Sequence, residues 1–299
     1  MRVLAGTERG LVDAGSGETL LDGSITALTR GAGSWWAIVD GHRILTASEK
    51  LDAWGERTSV RGVEARCILA VGDGALAGTS EAHLLKVNGG SATRVRSFDR
   101  VSTRDSWYTP WGGPPDTRSL TRDADGRAYA NVHVGGILSS DDGETGWSPT
   151  AMDVDADVHQ VLAHPTEPGV AFAATAIGLA TTRDAGTSWN FSEDGLHAAY
   201  CRAVAVAGDA LLLSASTSHT GKRAALYRRP LDGDRFERCT EGLPEWFADN
   251  LDTYCLDAHG ERAALGTTDG LVFVSEDAGR TWSQATSGLA TISVVALDG

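Results

Sequence analysis

Apolar and polar residues alternate in short runs along most of the chain, the period expected of half-buried strands. Four segments share one pattern: Leu4-Ala5-Gly6-Thr7-Glu8-Arg9-Gly10-Leu11, Leu76-Ala77-Gly78-Thr79, Ala174-Thr175-Ala176-Ile177-Gly178-Leu179 and Leu265-Gly266-Thr267-Thr268-Asp269-Gly270-Leu271. In each, an alternating strand meets a Gly-Thr or similar corner, and in most a Gly-Leu opens the next strand. Glycine supplies the positive φ of such a hairpin corner.

A second unit follows these corners at a spacing of about 43 residues. Its clear copies are Ser139–Trp147, Thr182–Trp189 and Ser275–Trp282, and worn copies lie at Leu231–Phe236 and Asn88–Thr93. Repetition at this period points to a propeller or solenoid. Each unit predicts four short antiparallel strands, A to D, the content of one propeller blade. The innermost A strands are predicted at Ile25–Leu28, Arg66–Val71, Arg118–Arg122, His159–Ala163, Arg202–Ala207, Tyr254–Ala258 and Ile292–Leu297. The last has no B, C or D strand after it, while Arg2–Gly6 and Gly10–Ala14 lack an A strand. The expected fold is therefore all-β: a single seven-bladed β-propeller domain over residues 1–299, closed by the C-terminal strand pairing with the N-terminal strands.

Composition fits this picture. The 299 residues hold 36 Gly and 9 Trp but only 2 Met and 8 Pro, which suits tight turns and short strands better than long helices. A formal charge of −14 opposes phosphate backbones and anionic lipid surfaces, so neither nucleic acid nor membrane is an expected partner. No stretch has the roughly 18 apolar residues of a membrane span. The opening MRVLAGTERG does not read as a charged-then-apolar leader, so a cytoplasmic protein is expected. Cys67, Cys201, Cys239 and Cys255 form no Cys-x-x-Cys pair and are expected to be buried, reduced thiols.

The Ser-x-Asp-x-Gly-x-Thr-Trp units resemble the Asp-box, or bacterial neuraminidase repeat, of sialidases, sortilin-type receptors, xyloglucan-active glycosidases and photosystem II assembly factors. In the resemblance the Asp and Ser/Thr groups bond the corner's amides and the Trp packs between blades. Likeness to sialidases implies an arginine triad mimicked by Arg118, Arg202 and Arg66. It also implies a Tyr–Glu pair at Tyr254 and Glu245, and an acid at Asp116 or Asp155. The chain departs from that family in lacking an Arg-Ile-Pro motif near its start and in having seven blades where sialidases have six. Likeness to the assembly factors covers the whole chain and implies a protein partner, although those proteins act outside the cytoplasm after a leader.

Strand direction sorts the loops. In an antiparallel meander the B–C and D–A connections share one face and the Asp-box C–D turns lie on the other, so the box carboxylates are expected to be structural. The irregular sequence sits in B–C and D–A loops, where function on a rigid scaffold concentrates. Three are conspicuous: 99–116, 216–223 and 242–252. Aligned A strands place Ile25, Arg66, Arg118, His159, Arg202, Tyr254 and Ile292 at the rim of a central channel, joined by His133, Asp155, Asp157, His197, Tyr200 and His219.

Three functions fit these residues. The first is a pocket for a small anionic or carbohydrate-like ligand, with Arg66, Arg118 and Arg202 as bidentate donors and Trp107, Trp111 and Trp246 as flat walls. His133, His197, His219 and Tyr200 line it. If the pocket is catalytic, His159, Tyr254, Asp116 and Asp155 would perform hydrolase or lyase chemistry. The second is a divalent transition-metal centre built by His133, His159, His197 and His219, since neutral imidazole suits zinc, copper or iron. The third is a scaffold that grips a protein partner on the same face through Trp107, Trp111, Trp246 and Phe247.

Overall fold

A computed structural model describes residues 2–298. It contains seven four-stranded antiparallel sheets, six in sequential strand order and one joining the last strand to the first three, the architecture of a seven-bladed β-propeller. Numbered from the N-terminus, the second sheet begins at Ile25–Gly31, the third at Ala65–Val71 and the fourth at Thr117–Arg122. The fifth begins at Val158–Ala163, the sixth at Tyr200–Ala207 and the seventh at Leu256–His259. The two middle strands of a sheet are the most apolar: Ala128–Val132 and Gly136–Ser140 are buried throughout. Fourth strands such as Ser283–Thr286 are mostly exposed, so polar residues occupy the sheet edges, where unpaired backbone would otherwise invite association.

The first sheet is built from both ends of the chain. Ile292–Asp298 pairs antiparallel with Arg2–Thr7 in the register Val3 to Leu297 and Ala5 to Val295. Arg2 Nη2 reaches Asp298 at 2.7 Å, and Ser293 Oγ donates to the Gly6 carbonyl at 3.1 Å. The Leu297 N–H donates to Asp257 Oδ2 of the seventh sheet at 2.8 Å. That carboxyl is enclosed, although the residue keeps some exposed surface, and burial pushes its pKa from 3.8 up to about 6.

A carboxyl harder to ionise when folded lowers stability as pH rises from the unfolded value through the folded one. The penalty is absent below pH about 4 and complete above pH about 6, at most about 2–3 kcal/mol. Asp257→Asn, which keeps an oxygen acceptor for Leu297, is expected to melt higher than wild type near pH ~8 and alike near pH ~4. Thermal denaturation at the two pH values measures this; a variant less stable at both would contradict it.

The turns of the three clear Ser/Thr-x-Asp repeats close as small self-contained networks. Ser140, Thr182 and Ser275 hydroxyls accept the N–H of Gly143, Gly186 and Gly279 at 2.9–3.0 Å. The same hydroxyls donate to Asp142, Asp184 and Asp277 at 2.8–3.0 Å. Asp142 and Asp277 carboxylates each accept two backbone N–H groups of the turn. The three aspartates are held below the ordinary carboxylate range. In Asp142 and Asp184 hydrogen bonds from the turn dominate; in Asp277 burial opposes the shift and the turn's donors outweigh it, leaving about 2. These carboxylates are occupied with their own turns.

Contact density divides the described chain into two compact units. A terminal unit holds the residues up to Ser24, Ala173–Ala180 and the chain from Phe191 on; a middle unit holds Ile25–Phe172 and Thr181–Asn190. All four cysteines are free and buried, and burial pushes the Cys67 and Cys239 thiols up to about 12. Helices are limited to single turns such as Arg96–Asp99, and among the described residues none is long and apolar enough to cross a membrane. One local expectation differs. Tyr254 was expected inside an inner strand, but the strand starts at Leu256 and Tyr254 has φ +64°. A turn closed by the Cys255 N–H on the Asp252 carbonyl precedes the strand, and the Tyr254 carbonyl accepts from Val295 instead.

Candidate functional site

In the middle unit, two neighbouring sheets bring two histidines and one aspartate together. His133 follows strand Ala128–Val132 of the fourth sheet, and His159 is the second residue of Val158–Ala163 in the fifth. Asp157, two residues before His159, reaches both: Oδ1 lies 3.0 Å from His133 Nε2 and Oδ2 lies 3.5 Å from His159 Nε2. His159 is fully buried and His133 nearly so. One ligand atom from each residue lies within 4.8 Å of the others, and this is the one group of three or more such side chains with metal-binding spacing among the described residues.

The local chain is held to this arrangement. The His133 N–H donates to the Asp116 carbonyl at 2.9 Å, and Asn131 Nδ2 ties the fourth sheet to the Val158 carbonyl at 2.9 Å. The corner that carries His133 is strained: Val134, a β-branched residue, has φ +47°. Asp157 is left-handed as well, with φ +48° and ψ +73°. Such conformations cost about 1–3 kcal/mol each and persist where the surroundings impose them. Burial opposes ionisation of Asp157, but the hydrogen bonds and charge of His133 and His159 outweigh it and hold the carboxyl well below the usual range.

Other anticipated residues of this unit have partners of their own. Arg66 is exposed and pairs with Glu64 at 2.9 Å and Asp116 at 3.2 Å. Arg118 is half-buried. Asp155 accepts the Tyr108 hydroxyl at 3.0 Å, which raises the Tyr108 pKa. Trp107 presents no open face: it is buried against Phe98, with the Arg104 guanidinium 5.1 Å from its ring. Trp111 is the reverse. It is 72% exposed and its ring centroid lies 5.2 Å from that of His133, so it borders the His-Asp-His group.

The remaining anticipated residues belong to the terminal unit. Arg202 Nη1 pairs with Asp252 at 2.7 Å, and its guanidinium lies over the Tyr200 ring at 5.6 Å. His197 Nδ1 is 2.7 Å from the Tyr227 hydroxyl, with the two rings stacked, and its ring lies 5.1 Å from Trp246. The His219 carbonyl accepts from Asn250 Nδ2 at 3.2 Å. Of the four histidines expected as ligands, the structure thus groups His133 with His159, while His197 sits in an aromatic cluster and His219 in the 216–223 loop.

Sequence reasoning gave Asp155 a catalytic role and left Asp157 a bystander. No strand periodicity marks Asp157, which precedes the strand and reaches both histidines from a left-handed turn. Tyr227, Arg223 and Arg238 were missed. Arg238 lies opposite Tyr227 in the strand register, a pairing that no local motif announces.

The ring of seven four-stranded sheets defines the class: a seven-bladed β-propeller. No protein-family model matches the chain, and no curated protein matches its sequence. Solved structures do resemble it in fold. A Bacteroides fragilis protein assigned as a 6-phosphogluconolactonase superposes with TM-score 0.66 at 11% identity, over 99% of this chain and 97% of that one. YCF48 from Cyanidioschyzon merolae gives TM-score 0.62 at 13% identity, over 96% and 90%. A structure of YCF48 bound to D1 peptide gives 0.60 at 14% identity, over 95% and 84%.

Proposed function

We propose that this propeller binds one divalent transition-metal ion through His133, Asp157 and His159 and uses it on a small anionic or carbohydrate-like molecule. The observation that carries the reading is the donor set itself. Two imidazoles and a carboxylate suit zinc or iron, and three protein ligands leave a position for water or substrate. Donors around zinc stand roughly 3.3 Å apart, and the His-Asp separations of 3.0 and 3.5 Å bracket that value. When bound, such an ion supplies Lewis acidity and an activated water. The chain's own part is to fix the ligands: the Val132–Gly136 corner aims His133, burial immobilises His159, and Trp111 offers an exposed ring at the edge for a sugar or other flat substrate.

The metal reading is favoured over an arginine-lined pocket because Arg66 and Arg202 already have carboxylate partners. Hydrolysis or elimination are the reactions this donor set suits best. The four buried free thiols support a reducing, cytoplasmic setting. Titration of metal-free protein with Zn²⁺, followed by calorimetry, is expected to give one equivalent per chain, lost in His133→Ala. Absence of saturable binding by wild type would reject the proposal.

A second reading rests on the loop 99–116. Tyr108 and Trp111 are 46% and 72% exposed, and aromatic residues of this kind anchor protein partners. YCF48, a propeller of similar fold, is known bound to a peptide. Trp111→Ala separates the two readings: lost turnover of a small molecule supports a substrate wall, and lost capture of a protein supports a docking anchor.

A further inference from the structure

The terminal unit carries two arginines, Arg223 and Arg238, that lean on one indole in place of a carboxylate. The Arg238 guanidinium carbon lies 3.8 Å from the Trp246 ring centroid and that of Arg223 lies 4.6 Å from it. Neither forms an ion pair among the described residues, although the chain carries 40 acidic residues against 26 basic ones. Arg238 Nη2 is buried without a hydrogen-bond acceptor. Arg223 itself is exposed and has φ +55°, a left-handed conformation at the end of the 216–223 loop. His197 completes the group through its contacts with Trp246 and Tyr227. Burial, and then the charges of Arg223 and Arg238, push its imidazole below the ordinary value.

A guanidinium N–H taken from water without an acceptor is unfavourable, and two like charges beside one indole repel. Cation–π attraction to Trp246 offsets part of this. It gives the buried N–H nothing to bond. A planar fork of donors matches carboxylate and phosphate oxygens. We infer that Arg238 and Arg223, gathered on Trp246, form an oxyanion-binding site for the phosphate or carboxylate group of a small molecule. The site shares no residue with the proposed metal centre, whose three ligands all belong to the middle unit.

The test is calorimetric titration of the full chain, freed of metal with a chelator and then dialysed, with inorganic phosphate and separately with acetate at low ionic strength. Saturable binding of at least one of the two is expected. Arg223→Gln, at an exposed position where folding is not at stake, should weaken it roughly tenfold or more, the loss expected for one charge-assisted hydrogen bond. Arg238→Gln should abolish it, and Arg238→Lys should restore only part, because lysine keeps the charge and loses the fork. The acetate and phosphate arms show which oxyanion the site prefers. No saturation by either anion, or binding that survives both Gln substitutions, would overturn the inference. Because the protein is metal-free throughout, failure here leaves the metal reading standing, and failure of zinc binding leaves this one standing.

Discussion

Trp282→Ala is expected to destabilise the protein by about 3–5 kcal/mol, the range for deleting a large buried aromatic. Trp282 is 5% exposed and packs in a cluster with Leu212, Cys239, Phe247 and Phe273. Its indole N–H donates to the Gly279 carbonyl at 3.1 Å, and its own backbone N–H donates to Glu241 at 3.0 Å. The surroundings leave little room to collapse into the void. Gly242 illustrates the tightness: at φ +80°, a Cβ there would stand against the Trp282 carbonyl oxygen. The equivalent Trp189 is only half-buried, with its N–H on Thr150 Oγ1 at 3.2 Å. Trp189→Ala should therefore cost less, about 1–2 kcal/mol. Urea denaturation of the two variants measures the difference. Equal losses would show that the box tryptophans act alike regardless of burial.

The second large effect is expected at Asp157. Its carboxylate stands between His133 and His159, and its negative charge is the one such charge in the donor set. Asp157→Asn keeps the shape and a hydrogen-bonding oxygen but removes the charge. Zinc affinity should fall by a factor on the order of 100 or more, since even outer-shell partners of metal ligands contribute 10–100-fold. The change should leave the fold intact, because the strained backbone at Asp157 suits asparagine at least as well. Competition with a colorimetric chelator gives the affinity, and circular dichroism checks the fold. Unchanged zinc affinity in a folded Asp157→Asn would mean that the carboxylate only hydrogen-bonds the two imidazoles.

Blade architecture was legible because it is written locally and repeatedly. A Ser or Thr, an Asp two residues on, a glycine with positive φ and a terminal Trp recur at three of the C–D corners, each closing on itself in the same way. Closure was legible from two incomplete ends, and Arg2–Thr7 does pair with Ile292–Asp298. The candidate site was harder to read, since its parts come from different sheets. His133 and His159 were among the residues singled out, whereas which carboxylate reaches them depends on the left-handed backbone at Asp157. A loop's composition likewise did not separate Trp107, folded under against Phe98, from Trp111 four residues later in the open. Arg223 and Arg238 escaped because their shared feature, a missing acidic partner, is a property of space and not of sequence.

The central claim is that His133, Asp157 and His159 hold one metal ion. Crystals of zinc-loaded protein, measured on both sides of the zinc absorption edge, test it most directly. The account predicts a single strong anomalous peak within bonding distance of His133 Nε2, His159 Nε2 and an Asp157 oxygen. A peak at other residues, or none there at full zinc occupancy in solution, would contradict it.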